Sequence, residues 1–141
     1  MSNVSEQAEF LLDVGRLVQR ATELGFQVTA GELYRTPEQQ EIYVKTGRSK
    51  TMQSLHLQRR AVDLNFFKDG KLVYSKEAIA PLGAYWESLN PLNSWGGNGI
   101  KLFDLPHFSR GVGKAEWRRV TDGPIKTCTA TRCKPRVHDL R

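Results

Sequence analysis

Cysteine is nearly absent: the chain of 141 residues has two, Cys128 and Cys133, both close to its C-terminal end. That excludes a disulfide-stapled miniature fold, so stability has to come from an apolar core, which a chain of this length can bury. His138 follows the pair, but a Cys-Cys-His cluster would lack a fourth ligand and has unusual spacing. A reduced pair in a loose tail is the better reading. Long apolar runs are missing too. None approaches the ~18 residues of a membrane span, and residues 1–7 lack the basic start and apolar centre of a secretory leader. The expectation is a protein made soluble in the cytoplasm. There is no internal repeat, no phosphate-binding loop, no GxGxxG fingerprint and no nucleophile elbow. Acidic residues are outnumbered, 15 against 21 Lys and Arg, giving a net charge of +6. Such a balance draws a protein to polyanions, nucleic acid or an anionic cell wall, and charge alone does not choose between them. What is present, 39% hydrophobic and 9% aromatic residues, is ordinary for a globular domain and not for a disordered chain.

Histidine is also scarce, three in all, yet two of the three lie in short runs with a carboxylate nearby. The first run is Ser54-Leu55-His56-Leu57-Gln58-Arg59-Arg60-Ala61-Val62-Asp63-Leu64, the second Asp104-Leu105-Pro106-His107-Phe108. A separation of seven residues spans about 10 Å on a helix and roughly 23 Å on a straight strand, with opposite faces. If His56 and Asp63 share an ion, the chain must reverse between them, with His56 on a turn and Asp63 on the strand that follows. Residues 61–67 read as that strand. Asp63 interrupts its apolar run, so the carboxylate is either paired or a ligand, because an isolated charge there is costly. Pro106 predicts an extended Leu105, which puts Asp104 and His107 on an extended segment. His56, Asp63 and His107 would fill three places around a catalytic zinc that keeps an open position, with Asp104 left over as a general base.

Taken in order, Ser5 is expected to cap a helix with Phe10, Leu11, Val14, Leu17, Val18, Ala21 and Leu24 on its apolar face, stopped by Gly25. Its other face, with Glu9, Asp13, Arg16, Arg20 and Glu23, reads as solvated. Residues 26–31 alternate like a half-buried strand. Thr36, Pro37 and Gln39 form a helix start, and that helix runs through Ile42 to Gly47. The polar, basic residues 47–53 could form one wall of a cleft, while Arg59 and Arg60 read as solvated. Asp69-Gly70 signals a tight hairpin. Ser75 starts a helix carrying Ile79, Leu82, Tyr85, Trp86 and Leu89, with Pro81 expected to kink it rather than break it. Residues 90–94 read as a loop, and Trp95-Gly96-Gly97 as a place where the backbone passes close to something large. Past Ser109 the pattern fades into a basic tail.

Ser-x-His followed by Ala-x-Asp-Leu, then Trp-Gly-Gly, then Asp-x-x-His-Phe resembles the zinc peptidases that include D-alanyl-D-alanine carboxypeptidases and phage L-alanyl-D-glutamate endolysins. The likeness runs from about Glu32 to Phe108. It implies that His56, Asp63 and His107 bind zinc (Zn2+), that Asp104 is the catalytic base, and that Arg35 stabilises the substrate carbonyl or its oxyanion. Ser54 and Trp95 would then lie near bound substrate. Two departures stand out: Arg59 replaces a frequent glycine, and Asp104 replaces a frequent glutamate, which leans toward the phage branch.

The expected architecture is a small α+β domain, residues 1–122, with a mainly antiparallel sheet, helices on one side and the zinc site at the open face, followed by a basic tail, residues 123–141. The expected activity is zinc-dependent hydrolysis of peptidoglycan stem peptides, as an L-alanyl-D-glutamate endolysin or, alternatively, a D-alanyl-D-alanine carboxypeptidase. Such a monomer would bind bacterial peptidoglycan and not nucleic acid, and would act on the wall after release during lysis. A non-catalytic basic protein binding wall polymer or nucleic acid would explain the charge. It would not explain why the His and Asp pairs recur in the order a peptidase needs.

Overall fold

A computed structural model describes residues 2–99 and 104–111 of the chain. The tail with Cys128, Cys133 and His138, the boundary near residue 122 and residues 100–103 lie outside the described residues. Three helices and five strands are formed: α1 (Ser2–Glu23), β1 (Gln27–Ala30), α2 (Pro37–Lys45), β2 (Ala61–Lys68), β3 (Lys71–Leu72), α3 (Lys76–Leu89), β4 (Asn93–Trp95) and β5 (His107–Arg110). Single 3-10 turns occupy Leu55–Gln58 and Gly96–Asn98. The sheet is antiparallel, in the order β1-β2-β5-β4, with β3 paired to β2. The fold class is α+β, as its pattern of elements implies.

β2 is the centre of the sheet, and its alternation separates core from site. Val62, Leu64 and Phe66 point into the core, where Val62 pairs with Phe108 across the ladder and Phe66 with Val28. Side chains alternate along a strand, so Asp63 and its cross-strand partner His107 fall on the opposite face. The core face is covered by α1 and α3 through Phe10, Leu17, Ala21, Ile79, Leu82 and Trp86. Its aromatic rings meet edge to face: Phe10 on Trp86, Trp86 on Phe108, and Phe108 on Phe66. The Trp86 indole N–H donates to the carbonyls of Ser94 and Ser109, locking α3 to β4 and β5.

Local chemistry agrees with the sequence at several ends. Thr36 Oγ1 accepts from the Gln39 N–H to start α2, and Ser75 Oγ from the Ala78 N–H to start α3. Asp69 and Gly70 both take positive φ, the two-residue turn that joins β2 to β3. Pro81 lies inside α3, which continues past it. Elsewhere the structure departs from expectation. α1 already runs from Ser2, so Ser5 lies within it and is not its cap. Leu11 and Leu24 are exposed rather than on the buried stripe. Residues 93–95 are strand β4, not loop, because the Asn93 side-chain amide, buried against Asp13, Arg110 and the Trp86 carbonyl, keeps all its hydrogen bonds.

Two charges expected in solvent, Asp13 and Arg60, are also buried. Asp13 and Arg110 are almost wholly covered and paired to each other, with Arg16 on the second Asp13 oxygen. Arg60, 5% exposed, reaches Glu6 of α1. These pairs join α1 to the sheet at the ends of β2 and β5.

Candidate metal centre

The site starts from a chain reversal. Ser54 Oγ accepts from the His56 N–H and opens the 3-10 turn; Arg59 closes it with φ +56°, a left-handed conformation more natural to glycine. Its guanidinium lies over the Tyr34 ring, 4.0 Å from the centroid, an attraction that offsets the conformational cost. Two residues on, β2 begins and delivers Asp63. Residues 31–35 run between these parts and tie them together. The Gly31 N–H donates to the Asp63 carbonyl, the Asp63 N–H to the Glu32 carbonyl, and the Arg35 N–H to the His56 carbonyl.

Residues 104–106 turn rather than run extended as expected, and His107 itself opens strand β5. The His107 N–H donates to the Asp104 carbonyl, closing a four-residue turn that feeds β5. The turn is clamped by Trp95-Gly96. The Trp95 indole donates to the Leu105 carbonyl, and the Asp104 N–H donates to the Gly96 carbonyl. A Cβ on Gly96 would collide with the Asp104 carbonyl oxygen, so glycine is required for this approach. Trp95 itself is 2% exposed, its ring packed against Gly83 and Gly97. With its face and N–H both used inside the protein, it supports the turn and offers no substrate-binding surface.

Three side chains far apart in sequence thus converge. His56 Nε2 lies 3.6 Å from Asp63 Oδ1, His107 Nδ1 lies 3.4 Å from the same oxygen, and all three donor atoms fall within 4.8 Å of one another. Direct N–H···O bonds are shorter, about 2.7–3.2 Å, whereas donors about 2.0–2.2 Å from one tetrahedral ion sit roughly 3.3–3.5 Å apart. Two of the three separations match that spacing and the third is at most 4.8 Å, so the three donors are placed where one ion can be held between them. Two imidazoles and a carboxylate are also a donor set zinc accepts. His56 Nδ1 lies 3.0 Å from the Leu33 carbonyl, which takes its N–H and turns the Nε2 lone pair toward Asp63. His56 is buried while Asp63 and His107 are partly exposed, so the group is closed below and open to solvent on one side.

The carboxylates differ in kind. Burial works to raise the Asp63 pKa, but hydrogen bonding and charge from His107 and His56 outweigh it and hold the group well below the usual carboxylate range. Asp104 is pushed up, first by burial and then by the Asp63 charge, against the pull of His107 and His56. It lies outside the donor triad yet within its electrostatic reach.

Arg35 is held beside this group. Nε donates to Glu32, and Nη1 donates to Gln40 Oε1 at 2.7 Å and Ser54 Oγ at 3.3 Å. The guanidinium lies over the Tyr43 ring, whose hydroxyl donates to Glu32. Nη2 makes no hydrogen bond among the described residues. Ser54 therefore links Arg35 to the His56 turn. Gln40 escaped the sequence reading because the apolar residues of α2, Ile42 and Val44, drew attention, whereas the residue α2 buries is the glutamine.

No family model matches the chain, and no curated protein matches it by sequence. Among solved structures, the fold is similar to that of the Serratia marcescens L-Ala D-Glu endopeptidase ChiX, with a TM-score of 0.58 and 25% sequence identity, over 70% of this chain and 78% of that one.

Proposed function

We propose that this chain is a zinc-dependent peptidase that cleaves the L-alanyl-D-glutamate amide of peptidoglycan stem peptides, an endolysin-type activity. The observation that carries the reading is the spacing of His56, Asp63 and His107, with Asp104 and Arg35 beside them. Similarity to an L-Ala D-Glu endopeptidase supports this bond over D-alanyl-D-alanine.

In this reading His56, Asp63 and His107 would hold the zinc. Bound there, zinc supplies Lewis acidity that polarises an amide carbonyl and acidifies water. Asp104, as carboxylate, takes a proton from the attacking water and returns it to the departing D-glutamate amine. Arg35 offers its free Nη2 edge to the alanyl carbonyl oxygen as negative charge grows on it. Asp63 serves as a carboxylate ligand and takes no part in proton transfer. All these groups come from one chain, and the proposed working unit is the monomer. The substrate is the bacterial wall, reached when lysis releases the protein.

The test is incubation of purified protein with peptidoglycan, with and without a chelator, followed by mass analysis of the new termini. The reading expects chelator-sensitive release of alanyl carboxyl and glutamyl amino ends. Asp104→Ala should retain metal and lose about 10²–10⁴-fold in rate. Unchanged wall hydrolysis by that variant would end the assignment of Asp104.

A further inference from the structure

We infer that Gln40 is a positioning residue: its buried amide fixes the orientation of Arg35 and couples it to residues 47–53. The inference rests on the peptidase reading above.

α2 is short and mostly exposed, with Ile42 turned outward at 52% exposure, yet Gln40 on the same helix is 0% exposed. A primary amide is costly to bury unless its hydrogen bonds are made. Those of Gln40 are. Oε1 accepts from Arg35 Nη1 at 2.7 Å, while Nε2 donates to Ser49 Oγ at 2.9 Å and to the Thr51 carbonyl at 2.5 Å. A guanidinium only donates and a carbonyl only accepts, so the amide fits one way round. Its oxygen must face Arg35 and its nitrogen the loop.

That placement matters because a planar guanidinium fixed at two nitrogens has its third aimed by geometry. Glu32 holds Nε, and a single contact there leaves the group free to pivot. Gln40 and Ser54 on Nη1 remove that freedom. The remaining edge, Nη2, is the one assigned to the carbonyl oxygen. An apolar residue would fill the same space without these bonds, leaving Nη1 with only its longer, 3.3 Å contact to Ser54 and residues 47–53 untied from α2. Displacing a charge-stabilising group by about 1 Å costs on the order of 10²-fold in rate.

The experiment compares Gln40→Met, Arg35→Ala and the double variant on peptidoglycan, with metal content and melting temperature recorded for each. Gln40→Met is expected to keep its metal and to lose about 10–100-fold in kcat with KM changed less than about threefold. In the Arg35→Ala background the same substitution should cost less than about twofold, because there is no guanidinium left to aim. Free guanidinium ion should restore part of the Arg35→Ala activity when Gln40 is present and none in the double variant. Independent, additive losses, or equal rescue in both backgrounds, would overturn the inference and leave the peptidase reading standing. A wild-type chain with no hydrolytic activity would remove both. Should Gln40→Met not fold, Gln40→Glu keeps the acceptor on Arg35 but sets its second oxygen against the Thr51 carbonyl, so residues 47–53 must move away from α2 while Arg35 stays held. It should stay within about threefold of wild-type kcat, and a fall as deep as that of Arg35→Ala would overturn the inference.

Discussion

Asp63 and His107 are direct cross-strand partners on β2 and β5, and one carboxylate oxygen of Asp63 lies 3.4 Å from His107 Nδ1 and 3.6 Å from His56 Nε2. The ladder that sets this register also places Val62 and Phe108, one position away on each strand, in the core. A slip of one residue would expose both and scatter the donors, so core packing and site geometry enforce the same pairing.

Metal binding should therefore be strong and specific to these donors. One zinc per chain is expected, and at free zinc about a thousandfold above its dissociation constant the folded state gains ~4 kcal/mol. His56→Ala and His107→Ala should each abolish the zinc-dependent rise in melting temperature. Calorimetric titration with metal analysis checks this; undiminished stoichiometry in either variant would contradict the assignment.

The two carboxylates should respond oppositely to pH in the metal-free protein. Asp104 has a raised pKa, so the folded state holds its proton longer than the unfolded state does; stability falls as pH rises through that window, and the penalty is fully present above it. Asp104→Asn should then melt higher than wild type at pH 7, with the difference vanishing in acid. For Asp63 the folded pKa is depressed, so its contribution is present above the ordinary carboxylate range and lost in acid. Asp63→Asn should melt lower at pH 7. Thermal unfolding between pH 3 and 8, both variants with chelator, reads the two signs; equal signs would refute this account.

Much of the architecture was legible because period and turn chemistry agree locally. Alternation around Val28 and through Val62, Leu64 and Phe66 marked β1 and β2, and Thr36, Ser75 and Asp69-Gly70 marked element ends. The donor triad was legible because three of its features, a turn, a strand and a carboxylate among apolar neighbours, are local. What escaped depends on distant partners. Asp13 and Arg110 look like surface charges until a chain separation of 97 residues is closed. Asn93 looks like a loop residue until its amide finds Asp13 and the Trp86 carbonyl. Trp95 beside two glycines suggests a backbone passing close to something large, and among the described residues that is the Trp95 ring itself, for which Gly97 makes room inside. Gln40 carries no sequence mark, since only the fold shows that its side of α2 is the covered one.

Gly96→Ala should damage the site without touching a donor. Its Cβ would meet the Asp104 carbonyl and approach His107 Cβ at 3.0 Å. Both atoms belong to the turn that sets His107, so the clash is relieved by moving that turn. Destabilisation of about 1–3 kcal/mol is expected, together with weaker zinc binding. Denaturant unfolding and metal titration report the two effects; a loss of stability with unchanged zinc affinity would show that the turn does not govern the site.

The buried pair of Asp13 and Arg110 should cost more to break from one side than to replace whole. Arg110 Nε donates to Asn93 Oδ1 at 2.8 Å and Nη2 to Asp13, while Asp13 also accepts from Arg16 at 2.6 Å. Arg110→Met leaves the Asp13 charge covered with only Arg16 to balance it, a loss of about 3 kcal/mol at the low end of the range for broken buried pairs. Asp13→Leu with Arg110→Met removes both charges and should recover part of that loss, the remainder being the buried Asn93 amide left without those two partners. The register of His107 is set by the β2–β5 ladder rather than by Arg110, so zinc affinity of the folded double variant should match wild type. Urea unfolding of the singles and the double closes the cycle. Losses that simply add would mean that the two residues stabilise the fold independently of each other.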